Sequence, residues 1–258
     1  MHKYDLTIIT CTKNRIFFLR KKINELKKIS KILNVELIIV TEKSDRNSFR
    51  FLKKNKNKRI NILTHNFNNI NKSTNKAIPY ANGKYITIHG DDDYFIYKNL
   101  IFLKKIFSQN YDWITARGKY YGDNKNNEIR KFSKLVKNIF IFLNINFFLR
   151  SFNYLQCPSV FFKKEIAIKV GGYPQNVRYG SDHHFWKKLI KYENLVINEY
   201  LSISRYSNNT ISGSLKSKKY FFILSEIKKN KNILSRLIQF LFLLLLIFKE
   251  SVSKIFKK

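Results

Sequence analysis

Three carboxylates stand side by side at Asp91, Asp92 and Asp93, directly after Gly90 and the strand-like run Tyr85 to His89. At one strand end they repel one another unless something neutralises them. A divalent cation such as Mn²⁺ or Mg²⁺ would do so, because these ions prefer oxygen ligands and commonly join one or two carboxylates to substrate phosphates. The plainer alternative is an exposed acidic turn capping the next helix, where Asp is favoured near the positive end of the dipole. Ser181-Asp182 suits the start of a helix through residue 192 in the same way. His183 and His184 do not make a zinc site, since adjacent helical residues point in different directions and no third nitrogen or sulfur ligand has usable spacing. Nor is there a Gly-rich phosphate loop, a Cys cluster or a Ser-His-Asp pattern, which argues against nucleotide hydrolysis and serine-type acyl transfer.

The elements that must position these residues follow from periodicity. Short β-branched runs at Leu6 to Thr10, Glu36 to Val40, Ile60 to Leu63, Tyr85 to His89 and Trp113 to Ala116 alternate with amphipathic stretches, the pattern of βαβ units and a mainly parallel sheet. Leu19, Ile23, Leu26, Ile29 and Leu33 recur every three or four residues and predict a helix with one apolar stripe on the sheet. Ligands of such open sheets sit beyond the carboxyl ends of the strands, so the loops after residues 10, 40 and 89 are the places for chemistry. Farther on, the pattern predicts a Phe-rich helix at 132–149, a strand near Ser159 to Phe162 and helices at 164–170 and 182–192. Gly171-Gly172-Tyr173-Pro174 marks a tight bend.

In order along the chain, Thr10-Cys11-Thr12-Lys13-Asn14-Arg15, Val40-Thr41-Glu42-Lys43-Ser44, Asn75-Lys76-Ala77, Ala81-Asn82-Gly83-Lys84-Tyr85-Ile86 and Asp91-Asp92-Asp93 resemble family 2 glycosyltransferases of the GT-A fold. The likeness covers residues 4 to about 212. Thr41 stands where the family's first acid is usual, Lys43 where its Gly is, and Ser181 and Ser207 where a Glu and a His are usual. The resemblance implies a nucleotide-diphosphate sugar donor, foremost a UDP-sugar, bound by Thr10, Thr12, Asn14, Arg15, Glu42, Asn75, Asp91, Asp92 and Arg205. It implies Mn²⁺ or Mg²⁺ held by Asp91 and Asp93, and Asp182 as the general base that takes a proton from the acceptor hydroxyl, giving inversion in one displacement. Arg205 would pair with phosphate through its fork of donors, although a solvated surface Arg is an equal reading. The implied setting is bacterial surface-polysaccharide assembly, with a glycan or lipid-linked acceptor recognised near the Phe-rich segment.

The chain has 258 residues and 44% hydrophobic residues, enough for one α/β domain over 1–212 (donor half about 1–116, acceptor half about 117–212) with a tail over 213–258. Fifty Lys and Arg against 17 Asp and Glu leave a net +33, which draws the protein towards polyanions. Nucleic acid is one such polyanion and a basic binding module the competing class, but no recognised binding motif supports it and none is expected as a partner. A membrane-peripheral protein whose transferase site has decayed is the third reading. The apolar run Leu237 to Phe248, flanked by lysines, is shorter than the roughly 20 residues a spanning helix needs. It fits an interfacial helix on the inner face of the cell membrane, or alternatively a helix packed on the domain or paired between subunits. Two cysteines, Cys11 and Cys157, and no secretory signal pattern point to the cytoplasm.

Overall fold

The computed structural model describes residues 2–66, 69–121, 149–150, 153–177, 180–205, 227, 233–234, 236–241 and 243–244. Its aliphatic and β-branched runs form strands β1 (Tyr4–Thr12), β2 (Val35–Thr41), β3 (Ile60–Thr64), β4 (Gly83–Gly90), β5 (Tyr94–Phe95), β6 (Trp113–Tyr121), β7 (Val160–Phe162) and β8 (Asn194–Arg205). They make one sheet in the order β3-β2-β1-β4-β7-β6-β8-β5. β3, β2, β1 and β4 are mutually parallel, with Ile8 opposite both Leu37 and Thr87. β7 runs antiparallel to β4 and β6, and β5 antiparallel to β8. The parallel expectation therefore holds for β1 to β4, and β5 and β7 are the reversed strands.

Side chains alternate across a strand, and β1 divides its own between two apolar layers. Leu6 and Ile8 meet the stripe Leu19, Ile23, Leu26, Ile29 and Leu33 contributed by helix α1 (Ile16–Ile29) and the turn after it. Ile9 faces the other layer, with Ala77, Phe162, Phe185 and Trp186. That layer is built by helices α3 (Ile70–Ala77), α5 (Lys164–Lys169) and α6 (Ser181–Leu189), while α2 (Arg46–Lys54) and α4 (Leu100–Ser108) complete the α1 side. Gly83 opens β4 because a Cβ there would lie 2.5 Å from the backbone nitrogen of Thr7. Only a residue without a side chain lets β4 close on β1 at that point.

The five strands expected through residue 116 are present and one to five residues longer, the strand expected near Ser159 to Phe162 is one residue shorter, and α6 ends at Leu189 rather than 192. β8 has no counterpart in the periodicity. Asn194, Asn198, Glu199, Ser202 and Ser204 break its alternation, and its place is fixed by the parallel ladder to β6, bulged between Thr115 and Gly118. The Phe-rich segment 132–149 lies outside the described residues except for Leu149. In the tail the described residues 233–244 are helical, with Gln239 and Leu243 buried and Ile233, Leu237, Phe240, Leu241 and Leu244 exposed. Among the described residues no helix is long and apolar enough to cross a membrane.

Candidate active site

The loops after β1 and β2 are stitched together by charge. Asn14 adopts φ +55°, and its backbone N–H donates to Asp45 Oδ2 at 2.6 Å. The other Asp45 oxygen accepts from the Ser48 N–H at 3.1 Å and caps α2. Lys13 pairs with Glu42 alongside. Asn14 and Glu42, both expected at the donor, thus sit on joined loops at the carboxyl ends of neighbouring strands. Asp45 is not singled out by the family pattern, although an Asp three residues ahead of the amide it caps is a helix-start signal.

Burial alone would raise the Asp45 carboxyl, but bonds from Ser48 and from the Asn14 amide, together with the Lys13 charge, outweigh it and hold the group below its ordinary value. A carboxyl depressed by folding contributes stability above its unfolded pKa and loses it as pH falls through the folded pKa. We expect Asp45→Ala to cost about 1 kcal/mol at neutral pH, the usual value of a lost N-cap. Thermal melts of the variant and the parent should converge as pH drops below about 4, the unperturbed Asp range. A gap that ignores pH would mean that the charge of Asp45 does not hold these loops.

The acidic turn at the end of β4 meets the first loop directly. Thr12 Oγ1 donates to Asp91 Oδ2 at 2.7 Å. The Arg15 fork reaches Asp91 Oδ1 through Nη1 and Asp92 Oδ2 through Nη2, each at 2.6 Å. Asp93 Oδ2 accepts the Gly90 N–H at 2.7 Å, and the Tyr121 hydroxyl donates to the Asp92 carbonyl at 3.3 Å. Arg205 arrives from the far end of β8: its guanidinium and that of Arg15 both lie over the Phe18 ring, at 5.3 and 4.3 Å from its centroid. Five expected residues, Thr12, Arg15, Asp91, Asp92 and Arg205, are therefore gathered with Asp93 around one turn. Phe18 is the residue that sequence reasoning misses here, though its spacing of three from Arg15 puts both on one helix face. The Thr10 side chain is buried beneath this loop without a hydrogen-bond partner.

Burial raises the Asp91 carboxyl against the opposing pull of Thr12 and Arg15, and burial pushes Asp93 up to about 6. A bound cation reverses this kind of shift. The donor set suits one: all its atoms are oxygens, and buried Asp91 Oδ1 has no hydrogen bond, since its contact with Arg15 is a close ion pair without hydrogen-bond alignment. No group of three or more His, Cys, Asp or Glu side chains is arranged to cage a metal among the described residues. A cation here would complete its shell with water and phosphate oxygens, as Mg²⁺ usually does.

Asp182 is the second residue of α6. The helix cap falls to Gly180 at φ +67°, with no side-chain cap bond, so Ser181 does not take the capping role open to it. Asp182 Oδ1 accepts the His183 N–H at 2.9 Å, and Oδ2 accepts from Asn153 Nδ2 at 2.8 Å. Burial first, then the charges of Asp182 and Asp93, push the Cys157 thiol up. His183 is buried, contacts the Leu149 carbonyl at 2.6 Å, and has no metal-ligand partners among the described residues.

Asn75, expected beside the donor, instead clamps the turn that leads to Asp182. Its Oδ1 accepts from the Tyr173 N–H at 2.8 Å and its Nδ2 donates to the Tyr173 carbonyl at 2.7 Å. Asn71 Nδ2 holds the carbonyls of Pro174 and Val177 at 2.9 and 2.7 Å. Gly172 at φ +60° is required for this approach, since a Cβ would come within 2.4 Å of Asn75 Oδ1. Both amide ends of Asn75 are thus occupied by backbone.

The fold has known counterparts. The model of Glycosyl transferase family 2 matches residues 7–171. Solved structures similar in fold include S. aureus TarS residues 1–349 in complex with UDP-GlcNAc, at TM-score 0.61 and 15% identity, covering 88% of this chain and 68% of that one. The same protein with UDP gives a TM-score of 0.59 at 16% identity, over 88% of this chain and 67% of that one. The mannosyltransferase PcManGT from Pyrobaculum calidifontis, in complex with GDP-Man and Mn²⁺, gives 0.60 at 12% identity, over 89% of this chain and 64% of that one. The chain spans about two-thirds of the length of these structures. No curated protein matches the sequence.

Proposed function

Since the chain belongs to Glycosyl transferase family 2 and has the GT-A fold, we propose that it moves a sugar, a hexose or a related one, from a nucleotide-diphosphate donor onto a glycan or lipid-linked acceptor with inversion. The observation that carries this is the acidic turn Asp91 to Asp93 at the carboxyl end of β4, flanked by Arg15 and Arg205 on the Phe18 ring. The complexes of its structural neighbours with UDP-GlcNAc and with GDP-Man and Mn²⁺ support the same donor class.

In this reading Asp91 and Asp93 would hold Mn²⁺ or Mg²⁺, which supplies charge to a departing diphosphate. Arg15 and Arg205 neutralise phosphate oxygens through their guanidinium forks. Thr12, Asn14 and Glu42 shape the nucleoside end of the crevice, where Thr41 leaves the usual acidic position neutral. Asp182 takes the proton of the acceptor hydroxyl as that oxygen bonds to the anomeric carbon. The bond from that carbon to the diphosphate oxygen breaks on the opposite face, and the configuration inverts. A panel of UDP-, GDP- and TDP-sugars with Mn²⁺ or Mg²⁺, assayed for slow donor hydrolysis, tests the proposal. Release of free sugar that needs the cation is expected from at least one donor, and none from any donor would sink the assignment.

The setting we propose is surface-polysaccharide assembly on the cytoplasmic face of the membrane, with the tail as the contact. Ile233, Leu237, Phe240 and Leu244 recur at intervals of four, three and four, one face of a helix, and all are exposed. Lysines on both sides of this run can add headgroup attraction. Replacing Leu237 and Leu244 by Glu is expected to reduce partition onto vesicles with anionic headgroups roughly a hundredfold, at about 1.5 kcal/mol or more per lost apolar contact. Co-sedimentation measures this. Undiminished binding by the double variant would exclude the helix face as the anchor.

A further inference from the structure

Behind the acidic turn lies a buried polar network that the transfer chemistry itself does not use. The Lys22 and Glu25 side chains of α1 are each only 1% exposed. Lys22 Nζ donates to Glu25 Oε2 at 2.9 Å and to the main-chain carbonyl of Asp93, and it lies 3.5 Å from His89 Nδ1. Glu25 Oε1 accepts the Phe95 N–H at 2.6 Å. His89 Nε2 lies 3.2 Å from the Pro158 carbonyl, so that nitrogen carries the proton and Nδ1 is left to accept from Lys22. The ring also packs at 4.4 Å from Phe95. The network grips the turn before it at His89, within it at Asp93 and beyond it at Phe95. Through the Pro158 carbonyl it also touches the turn that leads into β7.

A buried ammonium and carboxylate each give up their hydration, and a pair of apolar side chains would fill the same core at least as well. What apolar side chains could not do is hold two backbone groups of the turn at fixed points. We propose that Lys22, with Glu25 and His89, is a positioning residue for the acidic turn, setting the backbone from which Asp91 and Asp93 present their carboxylates to the cation and diphosphate. This rests on the donor site assigned above. It adds that the site's geometry is imposed from α1, through groups that touch neither donor nor acceptor.

Lys22→Met alone would strand a buried Glu25, so the test is the double variant Lys22→Met/Glu25→Gln, which removes both charges together. Two quantities are read on wild type and variant: Mn²⁺-dependent affinity for UDP and for GDP, and hydrogen exchange along the chain. Outer partners of metal ligands are typically worth 10–100-fold in metal affinity, and we expect a loss in that range. Exchange should quicken selectively over residues 89–95, with β1 and β2 still protected. Wild-type affinity in the double variant overturns the positioning role. So does loss of protection spread evenly over the sheet, because it would make the network ordinary core. If the wild type itself binds neither nucleotide with Mn²⁺, it is the donor-site reading that fails.

Discussion

Asp182→Asn is expected to abolish sugar transfer while donor and cation binding stay near wild type. A positioned general base contributes about 10² to 10⁴-fold, and Asn keeps the shape of the side chain while removing its capacity to take a proton. The surroundings favour a clean result. One Asp182 oxygen accepts from the His183 amide and the other from Asn153, and an Asn amide can keep one of these bonds through its carbonyl oxygen. The half-buried α6 that bears it is anchored independently by Phe185, Trp186 and Leu189 in the core. The measurement is single-turnover transfer, or donor hydrolysis before an acceptor is known, set beside nucleotide affinity. Turnover retained within tenfold would remove Asp182 from the base role. Loss of nucleotide binding together with turnover would move it to the donor side.

The second large effect belongs to the acidic turn. Replacing Asp91 or Asp93 by Asn should weaken cation-dependent nucleotide binding and reduce turnover on the order of 10³-fold, since a metal ion supplies several kcal/mol of charge stabilisation in such reactions. The two substitutions are expected to differ in cause. Asp91 is buried between the Thr12 hydroxyl and the Arg15 fork, so its neutral replacement also frees Arg15 from half of its ion pairing. Asp93 accepts the Gly90 N–H through one oxygen, a bond that Asn can keep through its carbonyl oxygen, so Asp93→Asn chiefly removes the charge. Titrating Mn²⁺ by its paramagnetic signal, with and without nucleotide, separates loss of the cation from loss of nucleotide binding. If either variant binds Mn²⁺ and nucleotide like the wild type, that residue is not a ligand.

Arg15 links these expectations to the fold. In the structure its fork lies on Asp91 and Asp92 while its guanidinium carbon lies over the Phe18 ring, as does that of Arg205. Planar guanidinium groups stack on aromatic rings and still present their edge donors. The same ring therefore sets two guanidinium cations beside one acidic turn.

Much of this was legible in the residues themselves. Periodicity is a local property, so the α1 stripe from Leu19 to Leu33 and the runs that become β1 to β4 could be placed without knowing their partners. The order of motifs from Thr10 to Asp93 carried the family, and the parallel half of the sheet then put the loops after β1, β2 and β4 at one edge. What the residues could not determine was long-range. β8 has no clean alternation and exists because β6 offers it a ladder, and only that pairing delivers Arg205 to Phe18, far away in the chain. Asn75 looks like a donor residue by its place in the sequence, yet the close approach allowed by Gly172 commits both ends of its amide to the Tyr173 backbone. Lys22 and Glu25 look like ordinary charges on a helix face. They are buried because the acidic turn folds over them, and burial by a distant segment is decided only when the whole chain packs.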